Sequence, residues 1–336
     1  MKQVAINGLG RIGRMALRHL LATPGLRVTA LNDRCDAPTL AHLLKYDSVH
    51  GRAPFSVAVA GEDLILDGQF VRVFREVTPG RIPFGETGAR VVLECTGQFT
   101  QRAQAAAHLK GSVGHVLISA LSEDADCTVV LGLNDELLDL DRDRVISSAS
   151  GTTQGLAPLV KVLDQVFGLD HGFVTAVHSY TTEQRILDLP HPDLRRARAA
   201  ATNMIPTTSR AAGAMGLLLP HLRGRLEGLS VRVPTPDVSL VDLTATLCSD
   251  VSMEALQAAF RHAAECGPLA RYLEVLDAEL VSADLVGSRA SCLYDPFLSK
   301  VLGPRLVKVF GWYDNECGYA ARLCDLCLRV MEGAQP

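Results

Sequence analysis

Residues 4–13 read Val-Ala-Ile-Asn-Gly-Leu-Gly-Arg-Ile-Gly, and this stretch decides the fold of the first half of the chain. Val4 to Asn7 has the apolar, β-branched character of a buried strand, and Arg11 to Ala22 carries apolar residues at helical spacing. Gly8, Gly10 and Gly13 fall where the two meet. In that setting the first glycine permits a tight turn, the second lets backbone approach a pyrophosphate, and the third lets helix and strand pack closely. The helix N-terminus then offers its N–H groups to the anion. A second strand, Leu26 to Asn32, ends at Asn32-Asp33, about 20 residues on, where a carboxylate accepts hydrogen bonds from ribose hydroxyls. Asp33 repels a 2′-phosphate and favours NAD over NADP, while the adjacent Arg34 leaves that preference open.

Outward from this βαβ unit, which predicts a parallel sheet, further buried strands are expected at Ala89 to Glu94, His115 to Ser119 and Cys127 to Leu131. Asp63 to Phe74 alternates around Asp67-Gly68 and reads as a hairpin near a sheet edge. From Gly155 a helix is expected to about Phe167. Strand signals at Gly172 to Ser179, Gly228 to Val233 and Val238 to Leu247 then suggest a second, largely antiparallel sheet. The polar stretch Tyr180 to Thr208 is too long for an ordinary connection and so reads as functional or interfacial. Tyr313 to Met331 reads as a closing helix. The expected class is α/β: a parallel-sheet domain over 1–150, completed by the helix at 314–336, and an α+β domain over 151–313 that includes the loop 180–208.

A chain of 336 residues suits two domains of roughly 150 residues each. Its composition, 48% hydrophobic and 21% charged, is that of a globular protein. A net charge of −4 without long basic clusters gives no footprint for a nucleic-acid backbone. The opening MKQVAINGLG runs straight into the glycine turn and offers no signal-peptide segment, and no stretch reaches the apolar length of a membrane span, so a cytoplasmic protein without nucleic-acid or membrane partners is expected. Nine scattered cysteines suit free thiols. Cys324 and Cys327 form a CxxC in the last helical segment, without the histidines of a metal site, and read as buried helical thiols; no metal is expected.

Longer runs resemble the glyceraldehyde-3-phosphate dehydrogenase family: VAINGLGRIGR at 4–14, LLKYDSVHGR at 43–52, SASGTTQGLAPLVKVL at 148–163, VHSYTTEQRILDLPHPDLRRARAAATNMIPT at 177–207, VRVPTPDVSLVDL at 231–243 and WYDNECGY at 312–319. The resemblance covers essentially the whole chain in order. It implies a Rossmann-type NAD-binding domain, a catalytic domain, a C-terminal helix that returns to the first domain, and a homotetramer with the long loop at its interfaces. It gives Gly8, Gly10, Arg11, Ile12, Gly13, Asp33, Ser119 and Asn315 to the cofactor NAD. Leu189-Pro190 resembles the NAD-preferring form of the family.

The family oxidises a sugar-phosphate aldehyde with NAD and inorganic phosphate to an acyl phosphate. That reaction needs a thiolate to attack the carbonyl, a base, a hydride acceptor and cationic clamps for two phosphates. By resemblance His178 is the base; taken alone, a histidine on an apolar strand would more often be a satisfied core residue. Thr181, Arg196 and Arg232 match contacts to the substrate's phosphate, where a planar guanidinium bonds oxygens in pairs. Ser150, Thr152, Ser209 and Arg210 match the attacking-phosphate site. At the nucleophile the family reads Ser-Cys-Thr-Thr-Asn-Cys and this chain reads Ser150-Gly151-Thr152-Thr153-Gln154-Gly155. Both cysteines are glycine. Gly151 cannot form a thioester, so the family's covalent chemistry is expected to be impaired. Ser209-Arg210 stands for a Thr-Gly, Val77 for an arginine and Cys317 for a phenylalanine. Two readings follow: an impaired dehydrogenase working through His178, or a non-catalytic subunit that binds NAD and sugar phosphate.

Overall fold

The structure, a computed structural model, describes residues 1–333. They divide into two compact units: Met1–Val129 with Glu136–Ala149 and the segment from Ala320, and Val130–Asp135 with Ser150–Tyr319.

In the first unit β1 (Lys2–Asn7), α1 (Arg11–Leu21) and β2 (Leu26–Asn32) form the expected βαβ unit. Then come α2 (Ala37–Lys45), β3 (Val57–Ala60), β4 (Asp63–Leu66), β5 (Gln69–Phe74), β6 (Val91–Glu94), α3 (Arg102–Ala105), β7 (His115–Ile118), β8 (Cys127–Thr128) and β9 (Val145–Ser147). They make one nine-stranded sheet in the order β3-β4-β5-β2-β1-β6-β7-β9-β8. Every pairing from β5 to β8 is parallel, and β3, β4 and β5 pair antiparallel at one edge. The hairpin read around Asp67-Gly68 is the β4–β5 connection, with both residues at positive φ. The strands at the centre of the sheet are buried along their length, which is why their sequence reads as continuous apolar runs without alternation.

The second unit opens with α4 (Gly151–Phe167), one turn earlier than its apolar pattern suggests, because Ser150 caps it: the Ser150 hydroxyl accepts from Thr153 N at 3.1 Å. It continues with β10 (Leu169–Ser179), β11 (Ile205–Thr208), α5 (Ala211–Leu218), β12 (Leu226–Val233), β13 (Ser239–Leu247), α6 (Met253–Glu265), β14 (Leu273–Val275), β15 (Cys292–Leu302) and β16 (Leu306–Tyr313); the last helix, α7 (Cys317–Gly333), belongs to the first unit from Ala320 on. The seven-stranded sheet runs β11-β12-β10-β13-β16-β15-β14, antiparallel except for β10/β12 and β14/β15. α4 is buried on nearly every side from Thr153 to Leu163, the pattern of a central rather than a surface helix. Lys161 is buried with it and donates to the carbonyls of Gly132 (2.6 Å) and Leu133 (3.3 Å), tying the short segment Val130–Asp135 to this unit.

Two sequence expectations shift. Tyr313 ends a strand instead of opening the last helix, which starts at Cys317, where Asp314 Oδ1 accepts from the N–H groups of Glu316 and Cys317. The part of the expected 314–336 helix at 334–336 lies outside the described residues. The strand expected at Cys127 to Leu131 shortens to Cys127–Thr128 because Val130 already belongs to the second unit. Strand β15 gives no clear strand signal in the sequence because Pro296 and Ser299 interrupt its apolar pattern. All nine cysteines are free thiols, with Cys324 and Cys327 buried in α7 as expected. Among the described residues no helix is long and apolar enough to cross a membrane.

Candidate active site

The glycine turn of the first unit is built by close approach. Gly8 has φ 92°, and a Cβ there would stand 2.7 Å from Thr96 N. A Cβ on Gly13 would stand 2.0 Å from the Gly8 carbonyl oxygen, so strand and helix meet here with no room for a side chain. Gly10 differs. No atom beyond its chain neighbours comes within 4 Å of where its Cβ would be, and as N-cap of α1 it supplies no side-chain bond to the helix. An open face over an uncapped helix N-terminus is what an approaching pyrophosphate requires. Asp33 stands at the end of β2 with Oδ2 accepting from Leu9 N (2.8 Å) and Oδ1 from Cys35 N (3.1 Å), so the carboxylate is tied to the turn. Arg11 forms a two-pronged pair with Asp47. Burial alone would raise the Asp47 carboxyl; Arg11 and the N–H groups of His50 and Val49 overcome this and hold it well below the usual carboxylate range. Ile12 and Ser119 are half-buried, and Ser119 N donates to the Glu94 carbonyl at 3.0 Å.

Beneath the turn lies a polar network that the sequence did not disclose. Asn32 Nδ2 donates to Asn7 Oδ1 at 2.7 Å, Asn7 Nδ2 donates to Glu94 Oε2 at 2.5 Å, and His108 Nε2 sits 3.0 Å from that same oxygen. Asn7, Asn32 and Glu94 close three neighbouring parallel strands, and Asn7 directly precedes Gly8 of the turn. Their signal was present in outline: a polar residue closing each apolar strand, at Asn7, Asn32 and Glu94.

In the second unit Gly151 is the first residue of α4. A Cβ there would meet nothing nearer than Asn315 O and Tyr319 Cδ2, both at 3.8 Å, which is ordinary van der Waals contact. Just before it, Ala149 holds φ 53°, a left-handed conformation that costs a non-glycine residue on the order of 1 kcal/mol, with its N–H bonded to Ser147 Oγ. Gly155, one turn on, is the opposite case: a Cβ would stand 2.7 Å from the Tyr313 ring.

His178 is buried near the end of β10, directly beside Arg232 in the parallel register with β12. Its Nδ1 lies 2.7 Å from the Ser179 carbonyl oxygen, which only accepts, so Nδ1 carries the proton and Nε2 is left as the basic nitrogen. Burial and then the Arg232 charge push His178 down to about 3, against that carbonyl bond, and the ring is neutral near pH 7. Tyr313 packs edge-on to His178 with ring centroids 6.1 Å apart, and its hydroxyl meets Thr152 Oγ1 at 2.8 Å. Asn315 is oriented by two hydroxyl groups, Ser179 Oγ at 2.8 Å and Ser239 Oγ at 2.7 Å, both donating to Oδ1; this leaves the amide nitrogen as the outward donor. Tyr313, Ser179 and Ser239 were missed in the sequence. Ser239 was detectable, since it occupies an inward position of the strictly alternating strand β13.

The remaining residues form a second group. Thr181 bonds Gln184 Oε1 through its N–H (2.7 Å) and hydroxyl (2.8 Å), and Arg196 Nε donates to Thr207 Oγ1 at 2.7 Å. Arg196 is also near enough to Arg232 to destabilise its charge, an effect second to burial and to a favourable one from Tyr313. Arg232 Nε is buried without a hydrogen-bond partner, and Nη1 reaches the Ser179 carbonyl only at 3.5 Å. Arg196 also faces the carboxylates of Glu183 at 3.5 Å and Asp193 at 3.6 Å; with the unpartnered Arg232 Nε near it, the two guanidinium groups make a site for an anion with several oxygens. Ser209 accepts from Ala211 N at 3.3 Å, and exposed Arg210 at the start of α5 makes no side-chain hydrogen bond or ion pair among the described residues. Cys317 is buried, with Sγ 3.3 Å from the Gly287 carbonyl oxygen.

Comparison with known proteins gives the family. Residues 2–102 match the family model described as glyceraldehyde 3-phosphate dehydrogenase, NAD binding domain, and residues 150–315 match its C-terminal domain. The chain belongs to the glyceraldehyde-3-phosphate dehydrogenase family. It is 50% identical over 328 residues to a glyceraldehyde-3-phosphate dehydrogenase of Geobacillus stearothermophilus, covering 98% of each chain. It is 48% identical over 328 residues to glyceraldehyde-3-phosphate dehydrogenase 1 of Bacillus subtilis, again over 98% of each, and 46% identical over 329 residues to the Streptomyces coelicolor protein, with the same coverage. It is thus an NAD-binding dehydrogenase of the oxidoreductase class, with a Rossmann-type domain and NAD as cofactor.

Proposed function

We propose that this chain binds NAD and a sugar-phosphate aldehyde as its family does, but is impaired in the covalent, phosphorylating reaction because Gly151 stands where the nucleophilic thiol belongs. The observation that carries this reading is the room at Gly151: the strained entry at Ala149 and the Ser150 cap are in place, a Cβ would fit, and no side chain is there. Losing a covalent nucleophile costs on the order of 10⁴ to 10⁶ in rate. In this reading Gly8, Gly10, Arg11, Ile12, Gly13, Asp33, Ser119 and Asn315 serve the dinucleotide, which when bound supplies the hydride acceptor. Arg232, Arg196 and Thr181 hold the substrate's phosphate. Ser150, Thr152, Ser209 and Arg210 belong to the inorganic-phosphate site, where the Arg210 guanidinium replaces an approach by backbone. Residual turnover uses the aldehyde hydrate, whose hydroxyl proton passes to His178 Nε2.

Calorimetry with NAD and with glyceraldehyde 3-phosphate tests the reading, combined with NADH formation by the same preparation. Both ligands are expected to bind, with turnover at least about 10⁴ below that of an active relative. Failure to bind either ligand, or turnover at the relative's level, contradicts it. A second reading, a non-catalytic subunit, is favoured by Gly155, where the Tyr313 ring occupies the space a second side chain would need. Calorimetry showing neither NAD nor phosphorylated-ligand binding, together with an exclusively homomeric assembly in cells, removes that reading. We further infer a cytoplasmic homotetramer. Ile186 (85% exposed), Leu194 (82%) and Met204 (75%) in the loop 180–208 support an interface there, and sedimentation analysis checks it.

A further inference from the structure

A separate feature of the first unit is a cavity of about 330 Å³ lined by the first halves of β1 and β2 and by β5 as far as Phe74, which pairs with Asn32. Gln3 and Arg27 stand near the starts of the paired strands β1 and β2, whereas Gly8 and Asp33 follow their ends. At about 3.3 Å per residue, Gln3 and Gly8 are roughly 16 Å apart along the strand. The volume falls in the range of small-molecule sites, and the lining is polar where the rest of this sheet face is closed by an apolar cluster that includes Ile82, Phe84 and Ala89.

Its side chains are underused by the fold. Arg27 Nε is buried without a hydrogen-bond partner, and the side chains of Gln3, Arg27 and Glu86 make no hydrogen bond or ion pair among the described residues. Arg72 lies over the Phe74 ring at 6.0 Å and reaches Asp63 only at 3.8 Å. Phe70, from the same strand face as Arg72, is 47% exposed. Gly88, at φ 82°, makes room for Gln3: a Cβ there would stand 2.2 Å from Gln3 Oε1. Two guanidinium groups suit a phosphate, an exposed phenyl face suits a stacked base, and a carboxylate beside them suits a ribose diol.

We propose that this cavity binds a nucleoside monophosphate, with its phosphate on Arg27 and Arg72, its base on Phe70 and its ribose hydroxyls toward Glu86. The site is independent of the reaction proposed above and of the dinucleotide at the glycine turn. Isothermal titration of AMP into the full-length protein held at saturating NAD tests it. One further AMP per chain is expected to bind. Arg27→Ala and the exposed Arg72→Ala are each expected to weaken it by about tenfold or more while leaving the NAD affinity unchanged. Phe70→Ala is expected to weaken AMP but not inorganic phosphate, which alone binds at least about tenfold more weakly than AMP. Loss of all AMP binding under saturating NAD overturns the proposal, as does AMP affinity unaffected by both arginine variants, or phosphate binding as tightly as AMP.

Discussion

Each of the two regions that matter carries a set of glycines, and they are glycines for different reasons. At the turn after β1, Gly8 and Gly13 are required by contact: their missing Cβ atoms would stand 2.7 and 2.0 Å from backbone atoms. Gly10 alone is open, on the side where a ligand approaches. At the start of α4, Gly151 is open although nothing in the fold requires a glycine, and Gly155 has the Tyr313 ring packed against it. In the function proposed above, open space at Gly10 serves binding, while open space at Gly151 is where the nucleophile would stand. The contrast separates what the family's fold demands from what its reaction demands.

The largest effect that would break this contrast is at the turn. Gly13→Ala drives a methyl into the Gly8 carbonyl and is expected to cost about 3 kcal/mol or more and to abolish NAD binding. Denaturant unfolding and NAD titration check both, and a stable, NAD-binding variant would refute the claim that contact fixes this glycine. Next, Gly155→Cys should destabilise by about 1–3 kcal/mol through the Tyr313 ring, whereas Gly151→Ala should stay within about 0.5 kcal/mol of the parent or stabilise slightly. Equal effects at the two positions would erase the distinction between them.

A smaller effect lies in the pH dependence. His178 is held neutral in the folded chain down to about pH 3, against an ordinary value of 6.5. Between those values the unfolded chain binds the extra proton and the folded chain does not, so stability falls as pH drops through the window and is fully present above 6.5. His178→Asn should flatten that part of the stability–pH curve; an unchanged slope would contradict the assigned environment.

How much was legible in the sequence follows the same division. The βαβ unit, the glycine turn and Asp33 could be read because local spacing and strand periodicity fix them. So could the antiparallel sheet of the second unit, in outline, from Val238 to Leu247. Strands β15 and β16 could not, since Pro296 breaks one pattern and Tyr313 looks like the start of the helix that follows. The resemblance located His178, Arg196 and Arg232 one by one, and the structure brings His178 beside Arg232 and places Arg196 close enough to oppose its charge. What sequence could not supply is three-dimensional: Ser179 and Ser239 converging on Asn315 from two strands, Tyr313 reaching Thr152, and the Asn7–Asn32–Glu94–His108 network under the turn. Each joins residues 14 or more positions apart in the chain, beyond the reach of any local pattern.

The central claim is that the reaction site lacks a nucleophilic atom while its surroundings remain in place, and rapid mixing of Gly151→Cys with NAD and glyceraldehyde 3-phosphate tests it most directly. A nucleophile restored beside His178 should give a burst approaching about one NADH per chain, with an acyl group on that residue detectable by mass spectrometry, while the parent chain gives no burst. A Gly151→Cys protein that folds, binds both ligands and shows neither burst nor adduct would contradict the account, because Gly151 would then not be what separates this site from the family's covalent chemistry.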